Sequence, residues 1–298
     1  MHDKIAIARQ ENRRGGVQIQ SVARALEILK CFTATSELGI SELSAEMGLH
    51  KSTVFGLVNT LMSFGYLEQI ESTKKYRLGM TLFEMGNLVL SRIDIRNEAK
   101  ERCAPLAQKY PATIHIATHN MGEVIYVDKI DCNNSLINSS NVGRRALMHC
   151  TGVGKAMLAY LPEEYLDQYL HFPLKKLTPN TIETKEALLE ELFEIRKTGI
   201  AMDREEIEEG LTCVAAPILQ KDGLPELAIS LSFPYGRIKN VDLQQVKREL
   251  LTCTQELSAR LGFRGGAENI RKTETWNAHW RKKDENSILC FQISKNAI

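Results

Sequence analysis

The sequence predicts an α+β protein in two parts: a small N-terminal unit of three helices and a hairpin, then a larger unit of helices flanking an antiparallel sheet. Two observations predict it. Residues 41–79 run from a helical stripe through a glycine break at Gly48 to a second helical stripe and two short strand-like runs. From Arg96 onward, strand-length apolar runs alternate with turns and helical segments. A chain of 298 residues is long enough for two such domains.

The elements follow in order. Residues 1–16 are polar and read as a flexible arm, in which Arg13 and Arg14 could touch phosphate. Over 20–33, Ser21 is a plausible cap, and Val22, Ala25, Leu26, Ile28, Leu29 and Phe32 recur at helical spacing. A second helix spans about Ile40 to Met47 and closes at Gly48. A third starts near Lys51 or Ser52 and ends at Phe64–Gly65. It buries Val54, Leu57, Val58 and Leu61 and leaves Lys51, Ser52, Phe55, Gly56, Asn59 and Ser63 on the other side. Strands at 66–70 and 75–78 enclose a tip at Glu71-Ser72-Thr73-Lys74. Helix, turn, helix, hairpin is the order of a winged helix-turn-helix over residues 17–79. An amphipathic helix over 80–95 then serves as linker.

The second unit is expected over 96–263. It comprises a helix at 96–110, strands at 112–119, 123–131 and near 135–141, and helices at about 153–160, 163–169 and 184–198. Strands near 212–220 and 226–234 and a helix from about Val241 to Leu261 complete it. Residues 264–298 are polar, with Trp276 and Trp280, and read as an appended tail of low order.

Composition removes several classes. The net charge is +1, so any nucleic-acid contact must come from a local patch. No apolar run approaches the roughly 18 residues of a membrane span, and Met1 to Gly16 lacks a signal-peptide core, so the cytoplasm is expected. Seven cysteines, scattered and without C-x-x-C spacing, fit neither a disulfide framework nor a zinc site. No metal, cofactor or catalytic residue is expected.

A recognition helix places its first residues on base edges in the major groove. Lys51, Ser52, Thr53, Phe55 and Asn59 are the candidates, Asn59 being suited to a base edge and Lys51 and Ser52 to phosphate. On the wing, Lys74, Lys75 and Arg77 can neutralise phosphates. Taken alone, the wing lysines read as ordinary solvated charges.

Gln20-Ser-Val-Ala-Arg-Ala-Leu-Glu-Ile-Leu, Lys51-Ser-Thr-Val and Tyr76-Arg-Leu-Gly resemble the IclR family of bacterial transcription regulators. So do Gly143-Arg-Arg, Gly152-x-Gly-Lys155-Ala and Asp203-x-Glu-Glu-x-x-x-Gly-x-x-Cys213-x-Ala-x-Pro217. The resemblance covers about residues 17–263. It implies a GAF/profilin-like α+β effector-binding domain after the DNA-binding unit, and homodimers or homotetramers. Gly56 departs from the family pattern, where a larger polar side chain is common, and so does Gly152, where many members carry Ala.

The segment His149-Cys-Thr-Gly-Val-Gly-Lys-Ala reads as a glycine turn opening a helix. Its amides suit a carboxylate or phosphate, and Arg144, Arg145 and Lys155 add positive charge. A phosphate-binding P-loop is excluded, because His149 and Ala156 stand where Gly and Ser or Thr are required. The bland alternative is glycines selected for close packing. The acidic run Asp203, Glu205, Glu206, Glu208, Glu209 reads, alone, as a solvated face. The resemblance implies instead that Ala146, Gly152, Val153, Asp203, Leu211, Cys213, Ser230 and Ser232 enclose a small organic acid. Asp203 would face the neutral end of the ligand, which suggests a sugar acid or a small keto acid.

The reading is a DNA-binding regulator, more a repressor than an activator, switched by a small carboxylate. Two alternatives stand beside it. One is an enzyme using Cys213 or Cys150 with His149 or His115 as base, His115 and His119 also sharing a strand face that could hold a metal. The other is a protein-docking module built on the tri-helical unit.

Overall fold

The computed structural model describes residues 19–91, 95–131, 141–234 and 236–264. They form two compact units, one on each side of residues 92–94. The expected arm, the strand near 135–141 except its last residue, and the tail beyond Arg264 lie outside the described residues.

In the N-terminal unit, α1 (Gln20–Cys31), α2 (Ile40–Met47) and α3 (Lys51–Ser63) pack around Ile28, Leu43, Val54, Val58 and Leu61, all buried. These are the apolar positions of each helical stripe, so burial of one face per helix sets the arrangement. Gly48 ends α2 in the left-handed region at φ 62°. At the start of α2, the Gly39 N–H donates to Glu42 Oε2 at 2.6 Å.

The wing is β1 (Leu67–Gln69) paired antiparallel with β2 (Tyr76–Leu78). A third segment, not legible as a strand, joins it: Leu38 N–H donates to the Tyr76 carbonyl at 3.1 Å and Tyr76 N–H returns to Leu38 at 2.9 Å. Gly65 and Gly79 make the close approach that seats the wing on α3. A Cβ on Gly79 would lie 2.1 Å from the Gly65 carbonyl oxygen.

The helix expected over 80–95 is shorter. It is α4 (Met80–Leu90), and Ile95 already begins the next helix. No residue of α4 is buried within its unit, and Met80, Phe83, Met85, Leu88 and Val89 are exposed.

The second unit is built on a six-stranded antiparallel sheet in the order β5-β4-β3-β8-β7-β6. Its strands are β3 (Thr113–Asn120), β4 (Glu123–Ile130), β5 (Arg145–Leu147), β6 (Ala201–Arg204), β7 (Leu211–Leu219) and β8 (Pro225–Pro234). Helices α5 (Ile95–Lys109) and α9 (Leu243–Arg260) pack together, with α9 against β7 and α5 against β3 and β4. Helices α6 (Gly152–Leu158) and α8 (Lys185–Thr198) associate with each other, and α6 contacts β7 and β8. Short helix α7 (Glu163–Leu170) adds Leu166 and Tyr169 to the core around α6. This is the α+β class expected. The two strands that periodicity did not reveal are the short β5 and β6, one at each edge of the sheet.

Candidate functional site

Register builds one wall of a cavity. Asp203 on β6 pairs with Cys213 on β7, Cys213 with Ser232 on β8, and Ser232 with Thr113 on β3. Directly opposed residues point to the same face, so Asp203, Cys213 and Ser232 stand side by side. In the next row His115 pairs with Ser230. The start of α6 and strand β5, at the other edge of the same sheet, supply further lining. The cavity measures about 300 Å³.

All eight residues named for the effector site, Ala146, Gly152, Val153, Asp203, Leu211, Cys213, Ser230 and Ser232, line this one cavity. The sequence reasoning missed several neighbours, including Tyr126, Thr151, Lys175, Leu177 and Ile207. His115, a base or metal ligand in the enzyme alternative, is a wall residue. Its Nδ1 lies 3.1 Å from Ser232 Oγ and its ring 5.2 Å from that of Tyr126. Its strand position between apolar neighbours was the available signal.

Thr151 caps α6, its Oγ1 accepting from the Gly154 N–H at 3.2 Å. The amides of Gly152 and Val153 precede the first intrahelical bond. The glycines also have a packing reason. A Cβ on Gly152 would sit 3.1 Å from Ala215 Cβ, and one on Gly154 would lie 2.3 Å from the Met148 carbonyl oxygen.

The charges are distributed differently from the expectation. The sequence offers Lys155 as a cation for the ligand. It is completely buried, does not line the cavity, and is bound to Glu206 at 2.6 Å and Glu191 at 3.2 Å. Its own helix carries it away from the α6 start that faces the cavity. Arg145 lines the cavity, but its guanidinium pairs with Glu123 and Asn120. Arg144 and Lys175 complete the basic lining.

The acidic run is split: Glu208 and Glu209 are exposed and Glu205 is half-buried. Asp203 and Glu206 are buried, and the Glu206 N–H donates to Asp203 Oδ1 at 2.8 Å. Burial pushes the Asp203 carboxyl up to about 7, with the nearby Glu206 charge adding to the rise. Burial holds His115 down at about 4, so its imidazole is neutral.

The same geometry argues against the cysteine-enzyme alternative. Burial raises the Cys213 thiol well above its ordinary value and pushes Cys150 up to about 12. His149 is engaged elsewhere, Nδ1 with Tyr169 Oη at 2.9 Å and Nε2 with the Lys175 carbonyl at 3.0 Å. Among the described residues no group of three His, Cys, Asp or Glu is placed to hold a metal ion. His119 stacks edge-on against Tyr165.

In the N-terminal unit, Lys51, Ser52, Thr53, Phe55 and Asn59 are all exposed on α3, opposite Val54, Val58 and Leu61. The wing cations differ from one another. Lys75 pairs with Glu42 at 2.8 Å and Arg77 with Glu68 at 3.0 Å. Lys74 stands at the tip with φ 56° and, among the described residues, is in no ion pair. Residues 19–91 hold six Lys and Arg against seven Glu, so the candidate face carries no bulk positive field.

Comparison with known proteins decides the family. The model for "Bacterial transcriptional regulator IclR C-terminal" matches residues 87–259, and that for "IclR helix-turn-helix domain" matches 21–71. The chain belongs to the IclR family of bacterial transcriptional regulators. Relatives of this IclR-family chain include the regulator XynR of Escherichia coli, 38% identical over 247 residues that cover 82% of this chain and 98% of XynR. KdgR of Escherichia coli is 33% identical over 246 residues, covering 82% and 94%. The solved structure of Thermotoga maritima IclR is similar at a TM-score of 0.67 and 29% identity, covering 83% of this chain and 100% of that one. The family consists of DNA-binding regulators that bind small-molecule effectors, not enzymes. Among the described residues no helix is long and apolar enough to cross a membrane.

Proposed function

We propose that this IclR-family regulator is a cytoplasmic repressor whose 300 Å³ cavity takes a small carboxylate bearing hydroxyl or keto groups. The observation that carries the reading is the polarity of that cavity. Arg144, Lys175 and the first amides of α6 favour an anion, while Asp203, Ser230 and Ser232 offer hydrogen bonds to neutral oxygens. The volume suits a compact acid. The carboxylate is assigned to the α6 and Arg144 side and the hydroxyl end to Asp203.

On DNA, we assign Asn59 and Phe55 to base edges and Lys51, Ser52, Thr53 and Lys74 to the backbone. Lys75 and Arg77 contribute only by exchanging their glutamate partners for phosphate. The exposed apolar stripe of α4 is assigned to pairing with a second copy, which gives a homodimer, or a tetramer of two, and a two-fold operator. Effector binding acts by favouring one of two arrangements of the assembly.

A footprint on DNA upstream of the chain's own gene and its neighbours, with and without a panel of sugar acids and keto acids, tests this. A two-fold protected site released by one acid supports it. Protection indifferent to every acid rejects the carboxylate reading, and no protection rejects the assigned DNA face.

A further inference from the structure

A second pocket shares Glu191 and Arg204 with the ion pairs around Lys155. It measures about 340 Å³ and is formed where α8 and α9 flank the edge strand β6. Its floor is apolar: Ile195 and Met202 are buried, and Ile200 and Leu251 are half-buried. Three cations and two carboxylates line it, giving an excess of one positive charge: Arg204, Lys247 and Arg248 against Glu191 and Glu194.

These charges are not equivalent. Arg204 is committed to Glu191 at 3.3 Å, and Glu191 also takes Lys155. Glu194 pairs with Lys197 at 2.8 Å. Lys247 and Arg248, adjacent on α9, are in no ion pair among the described residues. An apolar floor with a few convergent polar groups is the general form of a small-ligand site. The geometry here points to a monoanion with an apolar body. The floor accepts the body, Lys247 and Arg248 take the head group, and the lining's net charge of +1 matches a single negative charge.

The outer edge of β6 does not favour an added peptide strand. Arg204 N–H donates to Glu206 Oε1, the Arg204 carbonyl accepts from Asn180 Nδ2, and the Ile200 N–H donates to Thr198 Oγ1. Those groups, at the two ends of the strand, are already satisfied, which shortens the edge open to an added strand.

We propose that the α8–β6–α9 pocket is a second ligand site of this regulator, selective for a small apolar carboxylate and separate from the effector cavity.

The test uses octanoate, octanol and octyl phosphate, titrated calorimetrically into the full chain. Octanoate is expected to bind at least tenfold more tightly than octanol or octyl phosphate. Lys247→Glu with Arg248→Glu, the first half-buried and the second exposed, should weaken octanoate at least tenfold, and Leu251→Trp, which fills the pocket, should abolish it. Ala146→Phe, which obstructs the effector cavity, should leave octanoate unchanged. Thermal unfolding checks that Leu251→Trp folds, and the charge-reversed variant stands as the independent readout if it does not. Loss of octanoate in Ala146→Phe alone, indifference to the charge reversal, or no binding to the unaltered chain would each overturn the proposal.

Discussion

Lys155 Nζ lies 2.6 Å from both carboxylate oxygens of Glu206, and both side chains are buried. This pair ties α6, whose first turn lines the cavity, to Glu206, whose N–H donates to Asp203 Oδ1. Removing the cation leaves a buried carboxylate without compensation. Lys155→Met is therefore expected to destabilise the C-terminal unit by about 3–5 kcal/mol. Lys155→Met with Glu206→Leu should recover much of that loss. Urea unfolding of the three proteins reads the comparison. Equal stability of Lys155→Met and the unaltered chain would mean the pair carries no structural weight.

The Asp203 carboxyl sets a pH dependence. Its folded value, about 7, lies above the ordinary 3.8. The folded state therefore retains a proton that the unfolded chain releases. The favourable contribution is full below pH 3.8 and is lost as pH rises towards 7. Relative to Asp203→Asn, the unaltered chain should lose on the order of 3 kcal/mol of stability across that window. Unfolding midpoints at pH 5 and pH 8 for both proteins check the sign. A shared slope would remove Asp203 as the source.

DNA affinity should separate base reading from charge. Asn59→Ala is expected to cost about 1–3 kcal/mol on an operator and little on unrelated DNA. Lys74→Ala should weaken both alike and lower the slope of log affinity against log salt by about 1. Arg77→Ala should change less than Lys74→Ala, because Arg77 is held by Glu68 at 3.0 Å. Anisotropy titrations over a salt series distinguish the three. An Arg77 effect larger than that of Lys74 would reverse the assignment on the wing.

Gly79→Ala should unfold the wing locally. The added Cβ meets the Gly65 carbonyl oxygen at 2.1 Å, backbone against backbone, with no flexible side chain to yield. A loss of about 2 kcal/mol or more is expected in the N-terminal unit, with DNA binding weakened and ligand binding in the C-terminal unit intact. Hydrogen exchange at Tyr66–Leu78, compared with that of β7 and β8, locates the effect.

Much of the fold was legible because its long elements bury one face. Helices α3, α8 and α9 and strands β7 and β8 differ from their expected spans by only a few residues. Strands β5 and β6 were missed because three or four residues give no usable period, and their pairing depends on distant partners. The resemblance singled out eight residues that converge on one cavity. It did not reveal His115 or Tyr126 beside them, because a polar residue in an apolar strand looks the same whether it faces a core or a ligand.

What the sequence by itself determined was the order and type of most elements, the exposed face of α3, and membership of a regulator family, since each follows from local periodicity or motif. Only tertiary structure decided which charges are available. Lys155 looked like a ligand cation and is consumed by Glu206. Lys75 and Arg77 looked like DNA cations and are held by Glu42 and Glu68. Asp203, a carboxylate for the ligand by resemblance, is buried with a raised carboxyl. Charge is written in the sequence residue by residue. Its desolvation and pairing depend on neighbours brought from elsewhere in the chain, Lys155 and Glu206 among them.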